Sequence, residues 1–463
     1  MAPIDQSLRS FLKRCDDRGL LKRVFDTVSP EFEIAAYLAE LDPGPVVTFD
    51  SVAGSTMPVV ANVLGSLERI ADALGTDVSG IQSAITEAVG STGRLELVDV
   101  APVQQKILGT DLSALPIPTF FEREGGPYIT AGVIIARDPV TGLGNASFAR
   151  VRPLGGNRAM IGIAPNHHLN KMAERAPDGR LEIAVVIGAH PSVQLAACLY
   201  LGLGDDELLH VESMLGEPLR VVQARTVDLL VPADAEIVLE GVLDVRNTFD
   251  EGDVSEYHGM YERYGAAATA EFSAITSRAD PIYQAVLPGL HREHLYLGAI
   301  PIAAGLRAAV ERSIPNVGEV SITESGGGRL VAVVQLHDPR PGQGKQAMMA
   351  CWGSLSMLKQ VTVVNDDIDV WDPIAVEWAR IARCRIERDL VTIQDARTDR
   401  SEPLESGGTV TKIGFDALVN ESDRVEGFER ATPPAAVTTA VREKLFGLPN
   451  ARQTRSADEG VTE

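Results

Sequence analysis

Cysteine is scarce in this chain: four residues among 463 (Cys15, Cys198, Cys351, Cys384), widely spaced and with no CxxC pair. This excludes the paired-thiol motifs of zinc and redox sites and predicts buried, reduced thiols. Aromatic residues are only 5% of the chain, so composition offers no support for an aromatic-lined pocket. Positive charge is in deficit, with 42 Lys and Arg against 64 Asp and Glu and a net charge of −22. Such a field repels phosphate backbones and anionic membranes, which argues against nucleic acid and membrane as partners. It also repels a carboxylate substrate at long range, so a site for an acid needs local cations such as Arg150. No apolar run approaches the roughly 20 residues of a membrane span. The opening stretch MAPIDQSLRSFLKRCDDRG is charged throughout and lacks the apolar core of a signal peptide. A cytoplasmic protein is the expectation.

What is present is globular: 45% hydrophobic and 23% charged residues, in a chain long enough for two or three domains. Residues 5–24 read as an amphipathic helix, with Leu8, Phe11, Leu12 and Leu20 near one face. VVTF (46–49) and VVANVL (59–64) read as strands, followed by a helical stretch near 66–75. From 128 to 246 the texture is β-rich (YITAGVIIA, ASFARVR, AMIGIA, IAVVIGA, LRVVQA, IVLEGVLDV), with helical patches near 168–175 and 191–201. Strands in this number predict a barrel or strongly curved sheet. After residue 300 strand and helix alternate: helices at 304–315 and 345–359, and a buried strand VTVVN (361–365) ending at the acidic turn DDID (366–369). A short helix near 437–446 and a polar, disordered end ARQTRSADEGVTE complete the reading.

Two short segments draw attention for chemistry, NASFAR (145–150) and EGDVSE (251–256). Glu251 and Glu256 stand five apart around a glycine, and carboxylates gathered near an arginine can be held in different protonation states. A guanidinium suits the Arg150 position because its planar fork binds a carboxylate at two points and stays charged. Arg152, two residues on, shares the same strand face and competes for that role. DDID admits a magnesium reading as well as a structural one, in which the turn caps a strand; the structural reading is preferred. ESGGGR (324–329) and PGQGKQ (341–346) lack phosphate-loop spacing, and neither a GxSxG elbow nor an HExxH motif is present.

The order and spacing of these segments, together with LPIP (115–118), EGGPYIT (124–130), VPADAEIVLEG (231–241), EYHGMY (256–261), VVNDDIDVWDP (363–373) and KIGFDAL (412–418), resemble the UbiD family of prenylated-flavin-dependent decarboxylases over residues 100–418. The resemblance implies a mixed α/β fold: an N-terminal α/β region (1–105), a central split β-barrel flavin-binding domain (106–300), a C-terminal α/β oligomerisation domain (301–430), and a terminal helix and flexible tail (431–463). It implies reversible, non-oxidative decarboxylation of an α,β-unsaturated, aromatic or heteroaromatic acid, with prenylated FMN as electron sink. Glu256 is then the proton donor, and Arg150 and Glu251 complete a triad with it. Asn145, His167 and Glu207 match the ligands of a divalent metal, Mn2+ before Mg2+, with K+ as a further ion. His167 is preferred to the adjacent His168 because the spacing then needs no gap.

The same resemblance assigns cofactor contacts to Asn145, Ser147, Phe148, Ala149, Arg150, Asn166, His167, Ala197, Cys198, Leu199 and Glu207. The family's phosphate-contacting lysine falls on Gly353, with Lys359 the nearest alternative. Implied partners are the acid substrate, carbon dioxide, a flavin prenyltransferase as cofactor supplier, and further copies of the chain in a homodimer or larger homo-oligomer. Two rival readings are a plain FMN oxidoreductase and a non-catalytic subunit of a multi-subunit carboxylase. Retention of Arg150, Glu251 and Glu256 favours neither.

Overall fold

A computed structural model describes residues 5–419 and 431–446. The fold is mixed α/β. The first helix, Leu8–Asp17, begins where the Ser7 hydroxyl accepts the Ser10 N–H, and it buries Leu8, Phe11, Leu12 and Cys15. It is shorter than the amphipathic pattern predicts. Gly19, at a φ of +69°, turns the chain through a conformation that costs glycine little. Leu21–Val24 then leaves as a strand parallel to Val46–Phe49. This sheet continues through Val59–Ala61 and takes its fourth strand from Tyr283–Gln284. Leu95–Leu97 likewise pairs with Leu219–Gln223, so the first hundred residues share sheets with the middle of the chain.

The central sheet runs in the order Gly144–Phe148, Val133–Arg137, Arg180–Ile187, Ile237–Asp250, Ala266–Ser277, Arg158–Gly162, Arg150–Gly155, with Lys106–Gly109 added against Ala266–Ser277. Its two edge strands are consecutive in sequence and separated by Ala149 alone. A sheet whose first and last strands are joined by one residue must roll until those strands adjoin end to end, and this seam lies at Ala149. Both faces are covered. Val133, Ile135, Ala184 and Val186 enter one core, while Ile134, Ala136, Ile183, Val185 and Ile187 enter another. Two buried faces explain why these strands read as unbroken apolar runs even though alternate side chains part company.

The last sheet has the order Val317–Ile322, Val331–Leu336, Gln360–Asn365, Thr409–Ala417, Leu390–Arg397. Gln360–Asn365 runs parallel to both neighbours, Val331–Leu336 and Thr409–Ala417, and is reached from Val331–Leu336 through the helix Gln343–Ser354. The helix Arg292–Glu311 starts twelve residues before the stretch that sequence periodicity marks. Pro301 interrupts the pattern, and burial from Leu295 to Ala304 leaves no polar face to reveal the period. The DDID turn is structural: Asp367 pairs with Arg383 at 2.6 Å, Asp366 meets His337 at 3.1 Å, and Asp369 accepts the Trp371 N–H at 3.0 Å. Ala435–Phe446 is a separate helix, and residues 451–463 lie outside the described residues. Among the described residues no helix is long and apolar enough to cross a membrane.

Candidate active site

Arg150 opens the strand Arg150–Gly155 at the sheet seam, and all three guanidinium nitrogens bind carboxylates. Nε and Nη2 donate to the two oxygens of Glu251 at 3.0 and 3.1 Å, and Nη1 donates to Glu256 at 3.1 Å. The two-pronged partner is thus Glu251, whose side chain is only 1% exposed; Glu256, 12% exposed, lines a cavity. Burial draws the guanidinium pKa down, but Glu251 and then Glu256 outweigh it, so Arg150 is held more firmly charged than in water. Arg152 binds backbone instead, donating to the carbonyls of Glu251 and Gly125. Of the two arginines on this strand face, Arg150 alone engages the acids.

Local structure fixes both glutamates. The strand Ile237–Asp250 delivers Glu251, whose N–H donates to the Gly265 carbonyl at 2.9 Å. Gly252 turns the chain at a φ of +79°. The hairpin of Asp253–Ser255 with Tyr261–Arg263 then places Glu256, whose N–H donates to Met260 at 3.0 Å. Across the sheet, Arg150 pairs with Gly162. A Cβ on Gly162 would stand 2.6 Å from Glu251 Oε1 and 3.2 Å from Arg150 Nη2. The missing side chain is what lets the carboxylate lie over the strand. Gly162→Ala should therefore leave the fold intact and displace the fork, with turnover down about tenfold to a hundredfold; unchanged turnover at an unchanged melting temperature would mean that the fork tolerates the shift.

The cavity encloses about 380 Å3, within the usual range for small-molecule sites. Phe148, Ala149, Arg150, His167 and Cys198 form one part of its wall, and Arg329, Met357, Asp399, Arg400 and Ser401 come from the last domain. Burial pushes the Cys198 thiol up to about 12, so it is not a nucleophile near neutral pH. Ala197 and Leu199 flank it in the core. His294, also at the wall, is pulled down to about 4 by burial, and then by Arg329. The Tyr264 ring lies against both Arg150 and Arg400, its centroid 5.6 and 4.3 Å from the two guanidinium carbons.

Of the expected metal ligands, Asn145 lies on the strand Gly144–Phe148, His167 precedes the helix His168–Arg175, and Glu207 opens the turn Glu207–His210. Gly144–Phe148 is an edge strand, and the Ala146 N–H donates to Glu207 at 2.7 Å. Gly144 permits the approach of the following turn, since a Cβ there would meet the Asp206 carboxylate. Asn145 is buried, and its Nδ2 donates to Ser147 Oγ at 3.2 Å, leaving Oδ1 as acceptor. Burial pushes Glu207 up to about 8, a sign of a carboxylate enclosed without a countercharge. Burial pulls His167 down to about 4, which keeps its imidazole neutral, and its Nδ1 accepts the Leu169 N–H at 3.4 Å. An amide oxygen, a carboxylate and a neutral imidazole fit a hard or borderline divalent cation. Among the described residues no three His, Cys, Asp or Glu side chains cluster as a metal site. Of Asn145, His167 and Glu207, only the last two are of those types.

Several expected contacts do not line the cavity: Asn145, Ser147, Ala197, Leu199 and Glu207 are buried off its wall. Asn166 is exposed and outside the cavity wall. Lys359 is held by the buried Glu402 at 2.5 Å, so it is spent on an ion pair, and Arg329 and Arg400 are the cations that the last third of the chain brings to the wall. Sequence reading also passed over Gly162, Tyr264, His294 and Arg400. A lone residue of these types carries no spacing signal, although the glycines before Arg329 mark a segment of unusual backbone.

Residues 12–89, 96–291 and 295–417 match the family models described as the N-terminal, Rift-related and C-terminal domains of 3-octaprenyl-4-hydroxybenzoate carboxy-lyase. The anhydromevalonate phosphate decarboxylase of Methanosarcina mazei is 33% identical over 92% of this chain and 99% of its own. The UbiD-class enzyme HmfF from Pelotomaculum thermopropionicum, solved with FMN, superposes with a TM-score of 0.91 at 37% identity, covering 95% of this chain and all of its own. An evolved dimeric form of HmfF, solved with prFMN, gives 0.86 at 37% identity over 94% and 98% of the two chains.

Proposed function

This chain belongs to the UbiD family of carboxy-lyases and is a decarboxylase, and we propose that it uses prenylated FMN to remove carbon dioxide reversibly from an unsaturated carboxylic acid. The observation that carries the proposal is the Arg150 fork, which anchors Glu251 inside the protein and presents Glu256 at the wall of the cavity. The name of the Methanosarcina relative specifies a phosphorylated acid rather than an aromatic one. The proposed substrate class is accordingly set by unsaturation next to the carboxyl group, whether in a ring or an open chain.

When bound, the prenylated flavin supplies an electron sink for the carbon that loses its carboxylate. The chain supplies the rest. Phe148, Ala149 and Cys198 would face the flavin ring, and Ser147 braces Asn145 from behind. Asn145, His167 and Glu207 would hold a divalent ion against its phosphate, Mn2+ or Mg2+, with K+ as a further candidate. Glu256 carries the proton to the substrate carbon that has lost carbon dioxide, on the side facing the cavity. Arg150 holds Glu256 at one oxygen, orients it, and balances its charge between turnovers. A flavin prenyltransferase would provide the cofactor, and the working form would be a homodimer or larger homo-oligomer.

Co-production with a flavin prenyltransferase tests this reading. The expected result is a protein with prenylated-flavin absorbance that releases carbon dioxide from an unsaturated acid; ordinary FMN spectra under those conditions, with no such release, would reject it. The metal assignment has its own test. His167→Ala is expected to lose both divalent ion and flavin, by metal analysis and absorbance, whereas His168→Ala, on the first turn of the helix His168–Arg175, should retain most of both. The reverse ranking would move the ligand by one residue.

A further inference from the structure

The proposed chemistry consumes one carboxylate and uses Arg150, Glu251 and Glu256, yet two more guanidinium groups reach the same cavity. Arg329 follows three glycines, Gly326 to Gly328, the last two at φ of +64° and +65°. Its Nη1 donates to the Gly328 carbonyl at 2.8 Å and the Leu295 carbonyl at 3.5 Å, and its carbon lies 5.9 Å from the Tyr257 ring centroid. Room for it is built into the neighbouring helix: a Cβ on Gly298 would come within 1.9 Å of three guanidinium atoms. Arg400 rests on Tyr264. Among the described residues neither has a carboxylate partner. Glu256 is held by Arg150, and Asp399 is turned to the Ser401 N–H and hydroxyl at 3.0 and 2.8 Å.

Arg329 is half-buried and Arg400 exposed, so it is chiefly the Arg329 guanidinium, partly withdrawn from water without an acid partner, that gains when a ligand supplies the anion. A cation gripping the carboxylate that leaves would stabilise the starting state and oppose the reaction, whereas a cation gripping a group that does not react gives affinity without that penalty. We infer that Arg329, assisted by Arg400, is a specificity-determining site for a second anionic group on the substrate, a carboxylate or phosphate remote from the carboxyl that is lost. This rests on the decarboxylase reading. It also answers the charge problem posed by the sequence, since a dianion entering a protein of charge −22 needs more than one local cation.

The shared chemistry, an anionic oxygen group, also describes the cofactor phosphate, so the test separates the two sources. Protein loaded with plain FMN is used so that binding is read apart from the proposed prenylated-flavin chemistry, from the flavin difference spectrum. Glutaconate, a dicarboxylate, should bind at least about tenfold more tightly than crotonate, its monocarboxylate counterpart, the gain of one charge-assisted contact. In Arg329→Gln that preference should fall to nearly one, with FMN occupancy retained; Arg329→Lys should restore part of it, and Arg400→Gln should lower it less. Equal affinities in the wild type, binding of neither acid, or a preference unchanged in Arg329→Gln would overturn the inference. Loss of FMN from Arg329→Gln would overturn it too, by assigning the arginine to the cofactor phosphate. Failure of the decarboxylase reading shows separately, as no carbon dioxide release by the protein loaded with prenylated flavin.

Discussion

Glu256→Gln, loaded with prenylated flavin, is expected to fold and bind its cofactor like the wild type and to turn over at least about a hundredfold more slowly. The amide has the same shape, and its oxygen still accepts from Arg150 Nη1, now 3.1 Å from the carboxylate. The hairpin that fixes the position depends on backbone bonds, Glu256 N–H to Met260 among them, and these are untouched. What disappears is an acidic proton at the cavity wall. Melting temperature and flavin absorbance should therefore match the wild type while steady-state carbon dioxide release collapses. Wild-type turnover by a fully loaded variant would remove Glu256 from the reaction.

Arg150→Ala carries the second large effect. It leaves Glu251, 1% exposed, without the two bonds that hold it, and a buried carboxylate stripped of its partner costs roughly 3–5 kcal/mol. The protein escapes part of that cost by protonating the acid or admitting water. Either way Glu256 loses its anchor and activity should nearly vanish. Arg150→Lys separates charge from shape. An ammonium keeps the positive charge but cannot span both Glu251 oxygens and reach Glu256 as well, so only a small part of the rate should return. Near-full activity in Arg150→Lys, with flavin occupancy checked by absorbance, would show that charge alone suffices.

Several of the site's features were legible before any coordinates. Arg150, Glu251 and Glu256 lie in two compact segments whose spacing survives in one dimension, and the structure brings all three together. Glu207 accepts the N–H of Ala146, the residue after Asn145, and His167 lines the same cavity as Phe148. Strand positions in the central sheet were legible because fully buried strands print as apolar runs, whereas the first half of Arg292–Glu311 was hidden, since burial around a helix erases the period that betrays it.

The amino-acid sequence by itself determined the family and the mixed α/β class, and it marked the segments that hold Arg150, Glu251 and Glu256, because each depends on residues close together in the chain or on local periodicity. Tertiary structure decided which arginine of the 150/152 pair forks Glu251 and which glutamate faces the cavity. It also decided that Lys359 is spent on Glu402 while Arg329 and Arg400 reach the wall. Those outcomes depend on the roll of the sheet and on absent atoms, the missing Cβ of Gly162 and Gly298. Such space is made by segments far outside one another's local pattern, Gly162 against Glu251 and Gly298 against Arg329, and no local periodicity records it.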